Sequence, residues 1–207
     1  MSMIKFGKVE YPKLRPAFLA ALIPTAVAIN FAGTAIRQGL GVPLFLDSGG
    51  TILVSFIAGP WYGALCALLN AIVRSLLINP MSILNWFGTL AIALCYGYSA
   101  RYGITRTWTG LVLTVIITAP ITSFVSAFTA VLFFGGFTGS PVDIMASVFI
   151  KTTGRILTGK FISDMMTTLV DKAVLVTLVM AILRALPSQY RALTPVASKT
   201  EEETLDL

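Results

Sequence analysis

Histidine does not occur in the 207 residues of this chain. Its absence removes histidine-based triads, HExxH zinc sites and imidazole general bases together. No catalytic residue, metal site or cofactor is therefore expected. Cysteine is scarce: Cys66 and Cys95 lie in separate apolar runs without CxxC spacing. Neither a disulfide framework nor a thiolate cluster is indicated, and both read as small packing residues. Charge is scarce too, with 12% of residues charged against 56% hydrophobic and a mean hydropathy of +0.86, which excludes an ordinary soluble domain. The net charge of +6 does not call for a nucleic-acid partner, because the basic residues flank apolar runs, as they do beside membrane spans.

What is present is apolar sequence in long stretches. A bilayer core about 30 Å thick needs about 20 apolar residues per helix, so five or six spans with short loops fill the chain. The expected fold is an all-α membrane protein, a six-transmembrane-helix bundle over residues 16–187. It is flanked by a basic N-terminal segment, 1–15, and an acidic tail, 188–207, whose Glu201-Glu202-Glu203 composition reads as disordered. Lys5, Lys8, Lys13 and Arg15 precede the first run and place the N-terminus in the cytoplasm by the positive-inside rule. Six spans return the C-terminus there, with membrane lipid around the bundle. Pro24 and Ala26-Val27-Ala28 resemble a signal-peptide cleavage region, but the apolar run continues unbroken past Ala28, which favours a retained helix.

The spans are expected at 16–36, 49–58, 63–78, 83–100, 109–134 and 161–186. The second is short for a span and follows an N-cap signal at Asp47-Ser48. The fifth carries Pro120, which predicts a kink. Residues 141–160 read as helical but hold Lys151, Arg155 and Lys160, each costing about 2.5–3.5 kcal/mol at a bilayer centre. This stretch is expected to lie at the outer surface.

On that topology the polar residues crowd the outer halves of the helices. Arg37, Asp47, Asn70, Arg74, Asn85, Trp86, Thr168 and Asp171 reach similar depths, whereas the inner halves are nearly featureless. Ionisable groups in a membrane are paired or face a wet cavity, so the pattern predicts an outward-facing pocket with an apolar floor. Asp47, Asn70, Arg74, Asn85, Trp86, Arg155, Thr168 and Asp171 are its substrate-binding candidates. The competing reading is that Arg37, Arg74, Asp164 and Asp171 only neutralise one another. An enzyme built on Asp164 and Asp171 is disfavoured, since two helical turns separate them by about 10.5 Å. Six outer cations (Arg37, Arg74, Lys151, Arg155, Lys160, Lys172) against four anions (Asp47, Asp143, Asp164, Asp171) favour an anionic or neutral ligand.

Two further patterns stand out. Ala17, Ala21, Thr25, Ala28 and Ala32 form a small-residue stripe on the first helix, a face suited to close approach by another helix, either within the bundle or on a partner membrane subunit. Gly154 to Phe161 resembles a GxxxxGK[ST] phosphate loop, but Phe161 replaces the metal-binding hydroxyl and no strand leads in. No nucleotide site is expected there.

Gly41-Val42-Pro43-Leu44-Phe45-Leu46-Asp47-Ser48-Gly49-Gly50-Thr51-Ile52-Leu53, then Ala58-Gly59-Pro60-Trp61-Tyr62-Gly63-Ala64-Leu65, and later Leu169-Val170-Asp171-Lys172-Ala173 with Leu186-Pro187, carry a resemblance. The chain resembles the substrate-binding S components of energy-coupling factor (ECF) transporters, from the first helix to Pro187. The resemblance implies a non-enzymatic six-helix subunit in a prokaryotic plasma membrane that captures a vitamin or related micronutrient, using the loops around 39–47, 75–82 and 135–160. It implies docking of the Ala17, Ala21, Ala28 and Ala32 face on a transmembrane coupling subunit that works with two ATPase subunits. A stand-alone secondary transporter and a ligand-sensing membrane protein remain open on the residues alone.

Overall fold

The computed structural model describes residues 14–185, all-helical there and without a strand. The basic residues up to Lys13, the Leu186-Pro187 dipeptide, Arg191 and the acidic tail lie outside the described residues. The helices are α1 (Pro16–Leu40), α2 (Gly49–Ala58), α3 (Pro60–Leu77), α4 (Trp86–Arg101), α5 (Trp108–Phe134), α6 (Val142–Thr153) and α7 (Ile156–Ala185). Short 3-10 helices at Pro80–Asn85 and Ile104–Arg106 lead into α4 and α5.

Five helical stretches are long and apolar enough to cross a membrane: α1, α3, α4 with its preceding turn, α5 and α7. The chain is thus a multi-pass membrane protein, but the expectation of six equivalent spans needs correction. The second expected span, Gly49–Ala58, is a ten-residue helix with every residue buried. At 1.5 Å per residue it covers about 15 Å, half a hydrocarbon core. It is an internal element, reached from α1 through the irregular segment 41–48.

Glycine and asparagine explain why α2 can sit inside. A Cβ on Gly50 would lie 2.0 Å from the Ala26 carbonyl oxygen, so only glycine lets α2 touch the α1 backbone there. Asn30, fully buried on α1, accepts the Gly50 N–H at 2.7 Å and donates to the Thr51 hydroxyl at 2.9 Å. A first-turn donor that has no partner within its own helix is thereby satisfied without water. Higher on α1, Gly33 makes room for Leu46, whose carbonyl oxygen would sit 1.8 Å from any Cβ. At the far end of α2, Gly59 (φ +96°) turns the chain into α3, and Pro60 packs against Gly97 of α4.

The second correction concerns 141–160. It divides into α6 and the first turns of α7, with Gly154 (φ +67°) closing α6. The last long helix therefore begins at Ile156 instead of Phe161, and Lys160 lies within it, almost fully buried. The insertion cost that argued against this belongs to an unpaired lysine, whereas Lys160 is held by Asp143 on α6 and by Asp164 one turn along α7. α6 packs along α7 and leaves Ile144 and Val148 exposed on its other side. α5 continues as helix through Pro120.

Residues of α2, α4, α5 and α7 build the main apolar core. Phe56 and Tyr96 meet edge to face at 5.9 Å, surrounded by Ile52, Ile92, Leu111, Val115, Leu175, Val179 and Leu183.

Candidate functional site

The chain gathers its polar side chains at one end of the bundle. There α1, α3 and α5 finish, and α4 and α7 begin. A cavity of about 170 Å³ lies between them. Arg37 and Gln38 come from the last turns of α1, Arg74 from the last turn of α3, and Ser82 and Asn85 from the following 3-10 turn. Gly88, Thr89 and Ile92 of α4 line it as well. Thr122 and Ser126 face it from α5, Lys160, Thr168 and Lys172 from α7, and residues 138–140 close its rim.

Three buried charge clusters hold this wall. Arg74 donates from Nη1 to Asp47 Oδ2 at 2.5 Å, fixing segment 41–48 to α3. The second cluster fixes the same segment to α7. Asp171 Oδ1 accepts the Leu46 N–H at 2.7 Å, and Lys172 Nζ donates to Asp171 Oδ2 at 2.5 Å and to Ser48 Oγ at 2.7 Å. Leu46 has φ +50°, a left-handed conformation that non-glycine residues seldom take. Its N–H bond and its seat on Gly33 hold it there.

In the third cluster Lys160 Nζ lies 2.9 Å from Asp143 and 3.0 Å from Asp164. Asp143 also accepts the backbone N–H of Thr138 at 2.7 Å and of Ser140 at 3.1 Å, which shapes the rim. Burial raises the Asp143 carboxyl, and the Lys160 contact with these N–H groups more than reverses that, leaving it below 3.8. Ser123 and Thr168, 3.1 Å apart, tie α5 to α7 beneath the cavity.

Of the residues expected to bind substrate, Asp47, Arg74, Asn85 and Thr168 are in the cavity wall. Asn70 is buried one turn below Arg74, with its Oδ1 unpartnered, but does not line the cavity. Trp86 is half-buried against Phe87. Arg155 is exposed at the α6–α7 turn. Asp171 stands behind the wall and braces Leu46. Ion pairing among the charges is extensive, with different partners than the competing reading supposed: Arg74 pairs with Asp47, and Asp171 with Lys172.

Sequence reasoning left Lys160 and Lys172 out of the site. The i, i+4 spacing of Lys160 and Asp164 was the signal that a lysine could be paired inside a helix. The same pairing disposes of the apparent phosphate loop, since Gly159 and Lys160 are helical and Lys160 is engaged. Arg37 is the exception to pairing. It is 6% exposed, and among the described residues its guanidinium makes no hydrogen bond and no ion pair.

Among the described residues no three carboxylate or thiol groups gather where a metal could be held. Cys66 is buried, Cys95 is half-buried, and both are free. On the outside of the bundle, Ala17, Ala21, Thr25, Ala28 and Ala32 are all exposed, so among the described residues the stripe is not covered by the bundle's own packing. The stripe borders an apolar groove lined by Phe18, Leu22, Ile29, Leu53 and Ile182. Comparison with protein-family models, with curated proteins and with solved structures finds no match to this chain.

Proposed function

We propose that this chain is the substrate-binding subunit of an ATP-driven importer of the ECF type, capturing a vitamin or related micronutrient from outside a prokaryotic cell. One observation carries the reading: a charged cavity at one end of a membrane bundle stands over a closed apolar core. Such a cavity admits a solute from one side and offers it no polar path to the other. The plasma membrane is the setting, and both chain ends are cytoplasmic. Segment 41–48 with α2 supplies a sixth crossing beside the five long helices, because α1 ends and α3 ends at the cavity.

The energy comes from partners. A transmembrane coupling subunit docks on the exposed Ala17, Ala21, Ala28 and Ala32 face, where small side chains let a helix approach closely, and two ATPase subunits drive it. The test is uptake in cells together with native mass spectrometry of the detergent-extracted protein. A bound small molecule, and uptake that disappears when the ATPases are deleted, are the expected results. The half-length α2, starting beside the middle of α1, also favours a second reading, because broken helices at mid-depth build the sites of secondary transporters. Uptake that persists without any ATPase selects that reading. Binding without uptake selects a sensor.

A further inference from the structure

The three clusters of the cavity wall leave an imbalance. Arg74, Lys160 and Lys172 each touch a carboxylate of their own. Arg37 lines the same cavity at 6% exposure, its Nε is buried without a partner, and no carboxylate of the described residues lies within ion-pair distance. The nearby acids cannot turn to it without abandoning another contact: Asp47 is bound by Arg74, and Asp171 by Lys172 and the Leu46 N–H. A guanidinium is always charged and presents a planar fork of donors that matches a carboxylate. Buried charges are normally paired or solvated, so the missing partner of Arg37 points into the cavity.

The remainder of the wall suits the body of such a ligand. Asn85 and Ser126 line the cavity and make no side-chain hydrogen bond among the described residues. They face the space from the start of α4 and the outer half of α5. Ile92 and Phe45 supply apolar contact. The volume, about 170 Å³, compares with the roughly 150 Å³ of an engineered cavity that holds benzene.

We propose that the pocket binds a small organic monoanion with the bulk of a substituted six-membered ring, its carboxylate paired with Arg37 and its polar edge on Asn85 and Ser126. This rests on the reading of the cavity as a solute-capture site. It differs from the mere excess of outer cations, since Lys151 and Arg155 are exposed and lie outside the cavity wall.

Calorimetric titration of the full chain in detergent with matched acids and amides tests it: benzoate with benzamide, nicotinate with nicotinamide, 4-aminobenzoate with 4-aminobenzamide. The expected result is an acid that binds at least about tenfold more tightly than its amide, as a hydrogen-bonded charge pair provides. Arg37→Gln should bring the two affinities together, and Arg37→Lys should retain part of the preference. Because Arg37 makes no hydrogen bond or ion pair among the described residues, Arg37→Gln should cost the ligand-free protein far less melting temperature than Arg74→Gln, which leaves Asp47 without its ion pair. Amides that bind as well as acids overturn the charge assignment and leave solute capture standing. Failure of every pair to bind overturns the proposal as stated. Native mass spectrometry then separates the two ideas: a co-purified neutral molecule keeps the capture reading, and protein that never carries a small molecule fails both.

Discussion

The two halves of α7 bury the same inward face and fill it with opposite chemistry. In the first half the buried residues include Lys160, Ser163, Asp164, Thr168, Asp171 and Lys172; in the second they are Leu175, Val176, Val179 and Leu183. The change takes place between Lys172 and Leu175, within one turn. Outside, the helix is apolar along both halves, with Met166, Val170, Val174 and Leu178 exposed. A helix in lipid gains nothing from hiding apolar side chains from water, because its surroundings are already apolar. The inward face is thus free to carry polar groups wherever they find partners. Burial marks the bundle interior in both halves, and along α7 the buried charges mark the half beside the cavity.

The comparison can be broken hardest at a paired charge. Asp47→Ala leaves Arg74 buried without its carboxylate, and the expected loss is about 3–5 kcal/mol, measured by unfolding in mixed micelles. Adding Arg74→Met in the same chain should recover most of it, which a purely steric role for Asp47 would not allow. A smaller effect, about 1–3 kcal/mol, is expected for Gly33→Val, whose side chain meets the Leu46 carbonyl. Gly39→Ala, one and a half turns on and with nothing within 4 Å, is the control and should be neutral or slightly stabilising.

Acid should discriminate the halves more gently. The carboxyl of Asp143 sits below the ordinary 3.8, so its contribution is complete above that value and fades as pH falls through the lowered one. Melting temperature should therefore drop as pH falls below about 4, as followed by thermal scans in detergent. Leu183→Ala should not alter the pH at which the drop occurs. The smallest effect on stability, within about 0.5 kcal/mol, is expected for Ala28→Leu on the exposed stripe. Uptake should nonetheless fall if a coupling subunit docks there, and an unchanged uptake rate would remove the stripe from the partner surface.

Much of this was legible beforehand because lipid imposes simple rules. Apolar length marked out α1, α3, α5 and most of α7, and the bias of polar residues to one end of the helices pointed to Asp47, Arg74, Asn85 and Thr168, which line one cavity. What was not legible depends on pairs distant in sequence. Asp143 and Lys160 come together only once Gly154 folds α6 back on α7. Until that contact is known, a lysine in an apolar helix looks prohibitive. Asp171 was a substrate candidate by its depth among the polar residues; its partners are Lys172 and the Leu46 backbone N–H, and to the second of these sequence patterns are blind. The internal position of α2 was hinted at by its shortness, yet its seating depends on Gly50 meeting Ala26 across the bundle.

Segment 41–48 has no regular structure, and a loop of that kind in water would trade its amide protons with solvent freely. Here the Leu46 amide is held by Asp171, and the Gly50 amide just beyond the segment by Asn30. Two side chains from neighbouring helices thus take the place of solvent for a stretch of loop. On the clock of hydrogen exchange, the Leu46 amide belongs with the helix interiors, although the backbone around it is irregular.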